Sequence, residues 1–253
     1  MADRPPAVTR ATPEVRIIHQ REPWPAGHAY PSPGPDGIIV FDFSLLPGQA
    51  RVHALLPHLD AGEHERANRF ATPALRELFI VAHGQTREIL AGLLGTKPED
   101  LRFVYGREGK PCLPELAALA LEFNLTHTSD RALLAVARGR RVGVDLERLR
   151  PMPDALDLAT RYFHPKEIQA LCQQDPVTRA AAFLSAWTRK ESYVKAVGGG
   201  LSLPLSDFHA EPGPGQIRRW VADGNSRDKC AWFVGDLAVG DDHVAAVTFS
   251  SPG

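Results

Sequence analysis

The sequence predicts an α+β protein made of two similar α/β halves related by a pseudo-two-fold, facing each other across a cleft. Three observations lead there. Apolar residues recur at three- and four-residue intervals over 60–95 and again from 153 to about 197, the spacing of amphipathic helices. Runs rich in β-branched and aromatic residues, bounded by glycine and proline, stand before each helical stretch and after the second. The chain also repeats itself weakly. Arg69-Phe-Ala-Thr-Pro73 resembles Arg161-Tyr-Phe-His-Pro165, and Phe79-Ile-Val-Ala82 matches Phe183-Leu-Ser-Ala186, each helix running on to a glycine, Gly95 and Gly199. Val40-Phe-Asp-Phe43 precedes the first unit as Gly143-Val-Asp-Leu146 precedes the second.

Eight of the 22 prolines fall within residues 1–36. Proline donates no backbone hydrogen bond, so 1–36 is expected to be an extended N-terminal extension lying across the surface. Residues 38–43 read as a first strand. From Asp60 the stripe Leu75, Leu78, Phe79, Ala82, Ile89 and Leu93 carries a helix to Gly95, and a loop runs from Tyr105 to Pro111. An antiparallel meander is expected next, 121–127, 132–137 and 142–147, turning at Thr128-Ser-Asp130 and Arg138-Gly-Arg-Arg141. Two reversals bring His127 to the same sheet edge as Asp145 and Glu147. Helix resumes after Pro153, breaks near 173–176 and stops at Gly198-Gly-Gly200; strands at 217–221, 231–237 and 243–249 finish the chain. The expected division is an extension over 1–36, an N-terminal half over 37–137 and a C-terminal half over 138–250.

Composition narrows the functional classes. The 253 residues carry 29 Lys and Arg against 30 Asp and Glu, without the basic excess that nucleic-acid binding draws on. Charged residues make up 23%, and no apolar run approaches the ~20 residues of a membrane span, so neither nucleic acid nor membrane is an expected partner. Cys112, Cys172 and Cys230 are odd in number and widely spaced, which suits free thiols in a reducing cytoplasm better than a disulfide or zinc framework.

Two short segments carry candidate chemistry. In Gly143-Val-Asp-Leu-Glu147 a period of two puts Val144 and Leu146 on one strand face and Asp145 with Glu147 on the other. Two carboxylates about 7 Å apart repel unless a cation lies between them or water solvates them; a solvated outer face and a cation site both fit the pentapeptide. In the helix from Phe183, Trp187, Glu191 and Lys195 share one face beside the stripe Phe183, Ala186, Lys190, Val194 and Val197. An exposed Glu191–Lys195 pair would give the same spacing, but charges bordering an apolar stripe ask for partners.

Gly109-Lys-Pro111, Phe123-Asn-Leu-Thr-His-Thr128, Gly143-Val-Asp-Leu-Glu147 and Trp187-Thr-Arg-Lys-Glu-Ser-Tyr-Val-Lys-Ala196, in that order, resemble the signature of the Sfp-type 4′-phosphopantetheinyl transferases, over roughly residues 38–250. The resemblance implies the two-half fold of that family with its active site in the cleft. It further implies transfer of the phosphopantetheine arm of coenzyme A to a serine of an apo acyl or peptidyl carrier protein, with release of adenosine 3′,5′-bisphosphate; the internal repeat, with one complete set of site residues in the second half, adds the expectation of a monomer. By position, Asp145, Glu147 and Glu191 match the ligands of Mg²⁺, with Mn²⁺ as an alternative, and Lys195 matches the lysine that reaches the pyrophosphate. Glu191, or a metal-held water that it orients, matches the base. His127 matches the contact to the 3′-phosphate, and Lys110, Arg76 and Thr126 match further nucleotide contacts. Thr126 and Thr128 stand where the family usually has serine; His83 stands where arginine is common and is left outside the implied site. A binding module that had lost catalysis would be expected to lose a carboxylate or the lysine first, yet Asp145, Glu147, Glu191 and Lys195 are all present.

Overall fold

A computed structural model describes residues 14–20, 29–46, 48–106, 109–200, 203–210, 218–220 and 230–252. In chain order the elements are β1 (Val15–Gln20), β2 (Ile38–Ser44), α1 (Gln49–Leu55), α2 (Ala61–Asn68), α3 (Pro73–Leu94), β3 (Val104–Tyr105), β4 (Pro111–Cys112), α4 (Pro114–Ala118), β5 (Leu121–Thr128), β6 (Arg131–Arg138) and β7 (Val142–Arg148), followed by α5 (Ala155–Tyr162), α6 (Pro165–Cys172), α7 (Pro176–Val197), β8 (Arg218–Trp220), β9 (Trp232–Asp236) and β10 (His243–Ser250). One sheet has the order β1-β2-β6-β5 and a second has β7-β10-β9-β8, with β3 and β4 forming a small hairpin. Ile38, Val40, Leu133 and Ala135 of the first sheet pack on Val142, Val144, Leu146 and Val247 of the second. The outer face of the first sheet, with Ile39, Phe41 and Phe43, is covered by α1 to α3. No helix among the described residues is long and apolar enough to cross a membrane.

Two expected strand placements change. Of the extension, residues 1–13 and 21–28 lie outside the described residues, but Val15–Gln20 is a strand, pairing in parallel with β2. Its Val-Arg-Ile-Ile core is free of proline and β-branched, a local signal masked by the prolines on either side. The meander is also replaced. β5 and β6 form the expected antiparallel hairpin, but the other edge of β6 is taken by β2, so β7 crosses to the second sheet and pairs with β10. β7 then lies alongside β5 in the same direction, without a backbone ladder between them. Lys110 Nζ donates to both Glu122 Oε2 (3.3 Å) and the Val142 carbonyl (3.2 Å), Val144 N donates to Asn124 Oδ1 (2.9 Å), and Thr126 Oγ1 donates to Asp145 Oδ1 (3.2 Å). His127 and the acidic end of β7 do share an edge, more closely than an intervening strand would allow.

The repeat is real in structure and differs in register. β2 and β7 have seven residues each, α2 and α6 eight, α3 and α7 twenty-two. Pro73 opens α3 as Pro176 opens α7, whereas Pro165 opens α6, so the likeness of Arg69–Pro73 to Arg161–Pro165 joins non-equivalent helices. Face parity corrects the strand. Ile38 and Val40 share the inter-sheet core with Val142 and Val144, so Asp145 corresponds to Phe41 and not to Asp42. The long helices are fixed by a duplicated buried cation. Arg87 Nε bonds Glu63 Oε2 (2.6 Å) and its Nη1 bonds the Pro98 and Leu101 carbonyls (3.1 Å each), while Lys190 Nζ bonds Glu167 Oε2 (2.8 Å) and the carbonyls of Leu205 (2.7 Å) and Phe208. Glu63 and Glu167 each also close a capping box at the start of the preceding short helix. Arg87 therefore matches Lys190, which sets Glu88 against Glu191 and Gly92 against Lys195.

Lys190 is fully buried and Glu167 is 1% exposed. Removing one partner of such a pair strands the other charge, at a cost of about 3–5 kcal/mol. Lys190→Ala should lower the urea unfolding midpoint accordingly, with the slope of the transition unchanged; a loss below about 1 kcal/mol would contradict a structural role for the pair.

Candidate active site

The site lies where β5, β7 and α7 meet. Gly143 lets α7 approach: a Cβ there would stand 2.1 Å from the Ser192 carbonyl oxygen and 2.3 Å from Ala196 N. The equivalent position in the first half is Ile39, part of the sheet-to-helix core. This close approach sets the α7 face bearing Glu191 and Lys195 against Asp145. Asp145 Oδ1 accepts from Lys195 Nζ (2.6 Å) and Thr126 Oγ1, and Lys195 Nζ also lies 3.1 Å from Thr126 Oγ1. Asp145 Oδ2 is buried with no hydrogen-bond partner. Burial pushes the Asp145 carboxyl up from the usual carboxylate range, Lys195 opposes the shift and Glu147 adds to it. Glu191 is pushed up by burial and by Asp145, with Lys195 opposing and Glu147 adding. The three carboxylates thus feel one another electrostatically.

Glu147, at the end of β7, accepts from Arg150 Nη1 at 2.7 Å. With Asp145 turned to Lys195 and Glu147 to Arg150, no group of three His, Cys, Asp or Glu side chains among the described residues converges on one point as a finished metal site. The donor set nevertheless fits a hard divalent cation, which takes carboxylate oxygens and keeps water: the orphaned Oδ2 of Asp145 is an acceptor that protein groups leave unsatisfied. A cavity of about 590 Å³ is lined by Lys110, Tyr162, Trp187, Glu191, Val194 and Lys195 among others. Lys110 and the α7 pair therefore face one space.

The remaining residues singled out by sequence lie at different distances from this centre. His127 is at the exposed end of β5; partial burial on its inner side, then the positive neighbours His83, Lys195 and Arg66, hold its imidazole below its ordinary pKa. Lys110 is lowered by burial, with Glu122 opposing. Arg76 is half-buried and its Nε donates to Asn68 Oδ1 (3.4 Å). The basic side chains bordering His127 are instead Arg66, His83 and Lys195, of which sequence reading left the first two outside the site. His83 could have been found from its position, where the resembled family has arginine; Arg66 sits on α2, and its approach to His127 depends on tertiary packing. The basic side chains that add to burial in lowering the His127 imidazole mark a place where an anion would be favoured.

Comparison with known proteins gives one family. Residues 141–248 match the family described as the 4′-phosphopantetheinyl transferase superfamily. The chain is 35% identical over 223 residues to the 4′-phosphopantetheinyl transferase HetI of Nostoc sp. (strain PCC 7120), covering 86% of this chain and 90% of that protein. It is 30% identical over 216 residues to a putative 4′-phosphopantetheinyl transferase of Synechocystis sp. (strain PCC 6803), covering 78% and 85%. To the 4′-phosphopantetheinyl transferase Sfp of Bacillus subtilis (strain 168) it is 30% identical over 162 residues, covering 59% and 70%.

The raised pKa of Glu191 has a stability consequence with a definite sign. Above its folded-state pKa the carboxylate is ionised in both states and burdens the folded one; below the ordinary carboxylate range it is protonated in both and the burden is gone. With a chelator present, Glu191→Gln should therefore raise Tm at neutral pH, and the gain should shrink as pH falls through the raised pKa. A Tm lowered at neutral pH would contradict the electrostatic account of the site.

Proposed function

As a member of the 4′-phosphopantetheinyl transferase superfamily the chain transfers phosphopantetheine to carrier proteins, and we propose that it does so with a divalent cation, Mg²⁺ or Mn²⁺, held by Asp145, Glu147 and Glu191. The observation that carries the reading is the buried, unpartnered Oδ2 of Asp145, set beside Glu191, whose carboxyl it helps push up, and Glu147, which adds to its own upward shift. When bound, the ion supplies positive charge to the pyrophosphate of coenzyme A as the bond to the leaving phosphate breaks. The chain's own residues supply the rest. Lys195, already on Asp145 and Thr126, is the ammonium that meets the pyrophosphate, and the Thr126 hydroxyl stays beside it. Glu191 takes the proton of the carrier serine, directly or through a water that it orients. The new bond joins the serine oxygen to the phosphorus of the phosphopantetheine arm, and adenosine 3′,5′-bisphosphate departs.

His127 with Arg66 and His83 receives the 3′-phosphate of the nucleotide, and Lys110 and Arg76 serve the same end of coenzyme A. The second partner is an acyl or peptidyl carrier protein in its apo form. Each chain works as a monomer, because the first half does not rebuild the metal site. Phe41 and Phe43 replace the two strand carboxylates, and Gly92 replaces the lysine, its missing side chain taken up by the Tyr30 ring. Glu88 survives opposite Glu191, but it is held by Arg51, Gln85 and His58. Burial pushes its carboxyl up, and these partners outweigh burial to bring the pKa down to about 2. Free cysteines at 112, 172 and 230 suit work in the cytoplasm.

The test is to incubate the protein with coenzyme A, Mg²⁺ and a set of apo carrier proteins and to weigh the carriers by mass spectrometry. Asp145→Ala and Glu191→Ala should each cut transfer by about a hundredfold or more while remaining folded, and EDTA should abolish wild-type transfer until Mg²⁺ or Mn²⁺ is restored. Undiminished turnover by Glu191→Ala, or turnover indifferent to EDTA, would overturn the metal reading.

A further inference from the structure

The three carboxylates of the site are treated unequally by the protein. Asp145 has an internal cation, Lys195, on the neighbouring helix. The Glu191 side chain makes no ion pair or hydrogen bond among the described residues, so its charge is left for something that binds. Glu147 has a partner of a third kind: Arg150, three residues along the chain, in the segment that leaves β7. That guanidinium reaches back to Glu147 Oε2 at 2.7 Å and, with the same Nη1, to the Arg148 carbonyl at 3.1 Å. It is about half exposed, at 48%, whereas the Glu147 side chain is 25% exposed.

A guanidinium on a ligand carboxylate and a divalent ion on the same carboxylate compete for the same lone pairs and the same charge. Arg150 is suited to losing that competition. Its anchor is a single nitrogen on one carboxylate oxygen with no fork geometry, and exposed pairs of this kind are weak. Lys195 could not play the part in the same way, since it is held by both Asp145 and Thr126 and has its own work at the pyrophosphate.

We propose that Arg150 is a tethered placeholder cation, occupying Glu147 in the metal-free protein and yielding it when the divalent ion arrives, and so setting how much free metal the site needs. The inference rests on the metal reading given above for Asp145, Glu147 and Glu191. In this arrangement Arg150 guards a carboxylate that would otherwise stand unneutralised beside Asp145 and Glu191, and the affinity for metal is held down by the release of the guanidinium.

The experiment is a titration of the full-length protein with Mn²⁺ alone, without coenzyme A or carrier, following free Mn²⁺ by electron paramagnetic resonance. Arg150→Ala should bind Mn²⁺ more tightly than wild type by about three- to fivefold, the range an exposed ion pair supports. Arg148→Ala removes the same charge from an exposed neighbouring position, so it measures the long-range electrostatic gain, which should be smaller than that of Arg150→Ala. Arg150→Lys, which keeps a cation within reach of Glu147, should stay close to wild type. Binding by Arg150→Ala that is unchanged, weaker, or tightened only as much as by Arg148→Ala would overturn the placeholder role. Asp145→Asn and Glu147→Gln serve a separate purpose: they should lose Mn²⁺ binding, and if they retain it the metal reading itself falls, whatever Arg150→Ala does.

Discussion

The structure turns on two edge strands that lie side by side without forming a ladder. β5 closes one sheet and β7 opens the other, and each presents backbone groups that need partners, as any sheet edge does. Side chains meet that need at the junction: Asn124 takes the Val144 amide and Lys110 takes the Val142 carbonyl, while the Thr126 hydroxyl reaches across to the Asp145 carboxylate. A continuous backbone ladder would have left no room for polar side chains between the strands. Because the strands are laced by side chains instead, a carboxylate, a hydroxyl and an ammonium meet at one point inside the protein. The chemistry of the site is thus a product of how the two halves are joined.

Holding that junction together exacts an electrostatic cost, visible in the raised pKa values of Asp145 and Glu191. The two halves solve the problem of buried charge differently. In both, a cation in the middle of the long helix is matched to the capping-box glutamate of a short helix and to two carbonyls beyond the helix end, which ties three segments into one unit. Beyond that shared device the halves diverge. The first fills its strand face with Phe41 and Phe43 and seats the Tyr30 ring at Gly92, giving a core. The second keeps Asp145 and Glu147 on the matching positions and accepts their repulsion, giving the proposed metal site. Duplicated scaffolding with one half committed to packing and the other to charge accounts for a single centre in a two-fold architecture.

Much of this was legible in the sequence where it depended on local periodicity. The period of two put Asp145 and Glu147 on one strand face, the four-residue spacing aligned Trp187, Glu191 and Lys195, and the glycines at 95 and 198 marked where both long helices stop. What was not legible depended on contacts far apart in sequence. No local signal tells β7 to leave the hairpin before it, because the edge it would have used is taken by β2, a strand nearly a hundred residues earlier. A one-residue error in matching Asp42 to Asp145 follows from comparing letters, since both segments contain an aspartate; the buried face decides otherwise. β1 was hidden by the prolines around it, and Arg66 was missed because nothing in its own helix announces a nearby histidine on β5.

The central claim is that one complete site is assembled within a single chain by the junction of its two halves. Native mass spectrometry of the protein with coenzyme A and Mg²⁺, over a range of protein concentrations, addresses it directly. The account predicts one coenzyme A on each single chain, with occupancy independent of protein concentration and lost on Asp145→Ala. Two equivalent coenzyme A molecules per chain, or binding confined to a dimer or trimer, would contradict it.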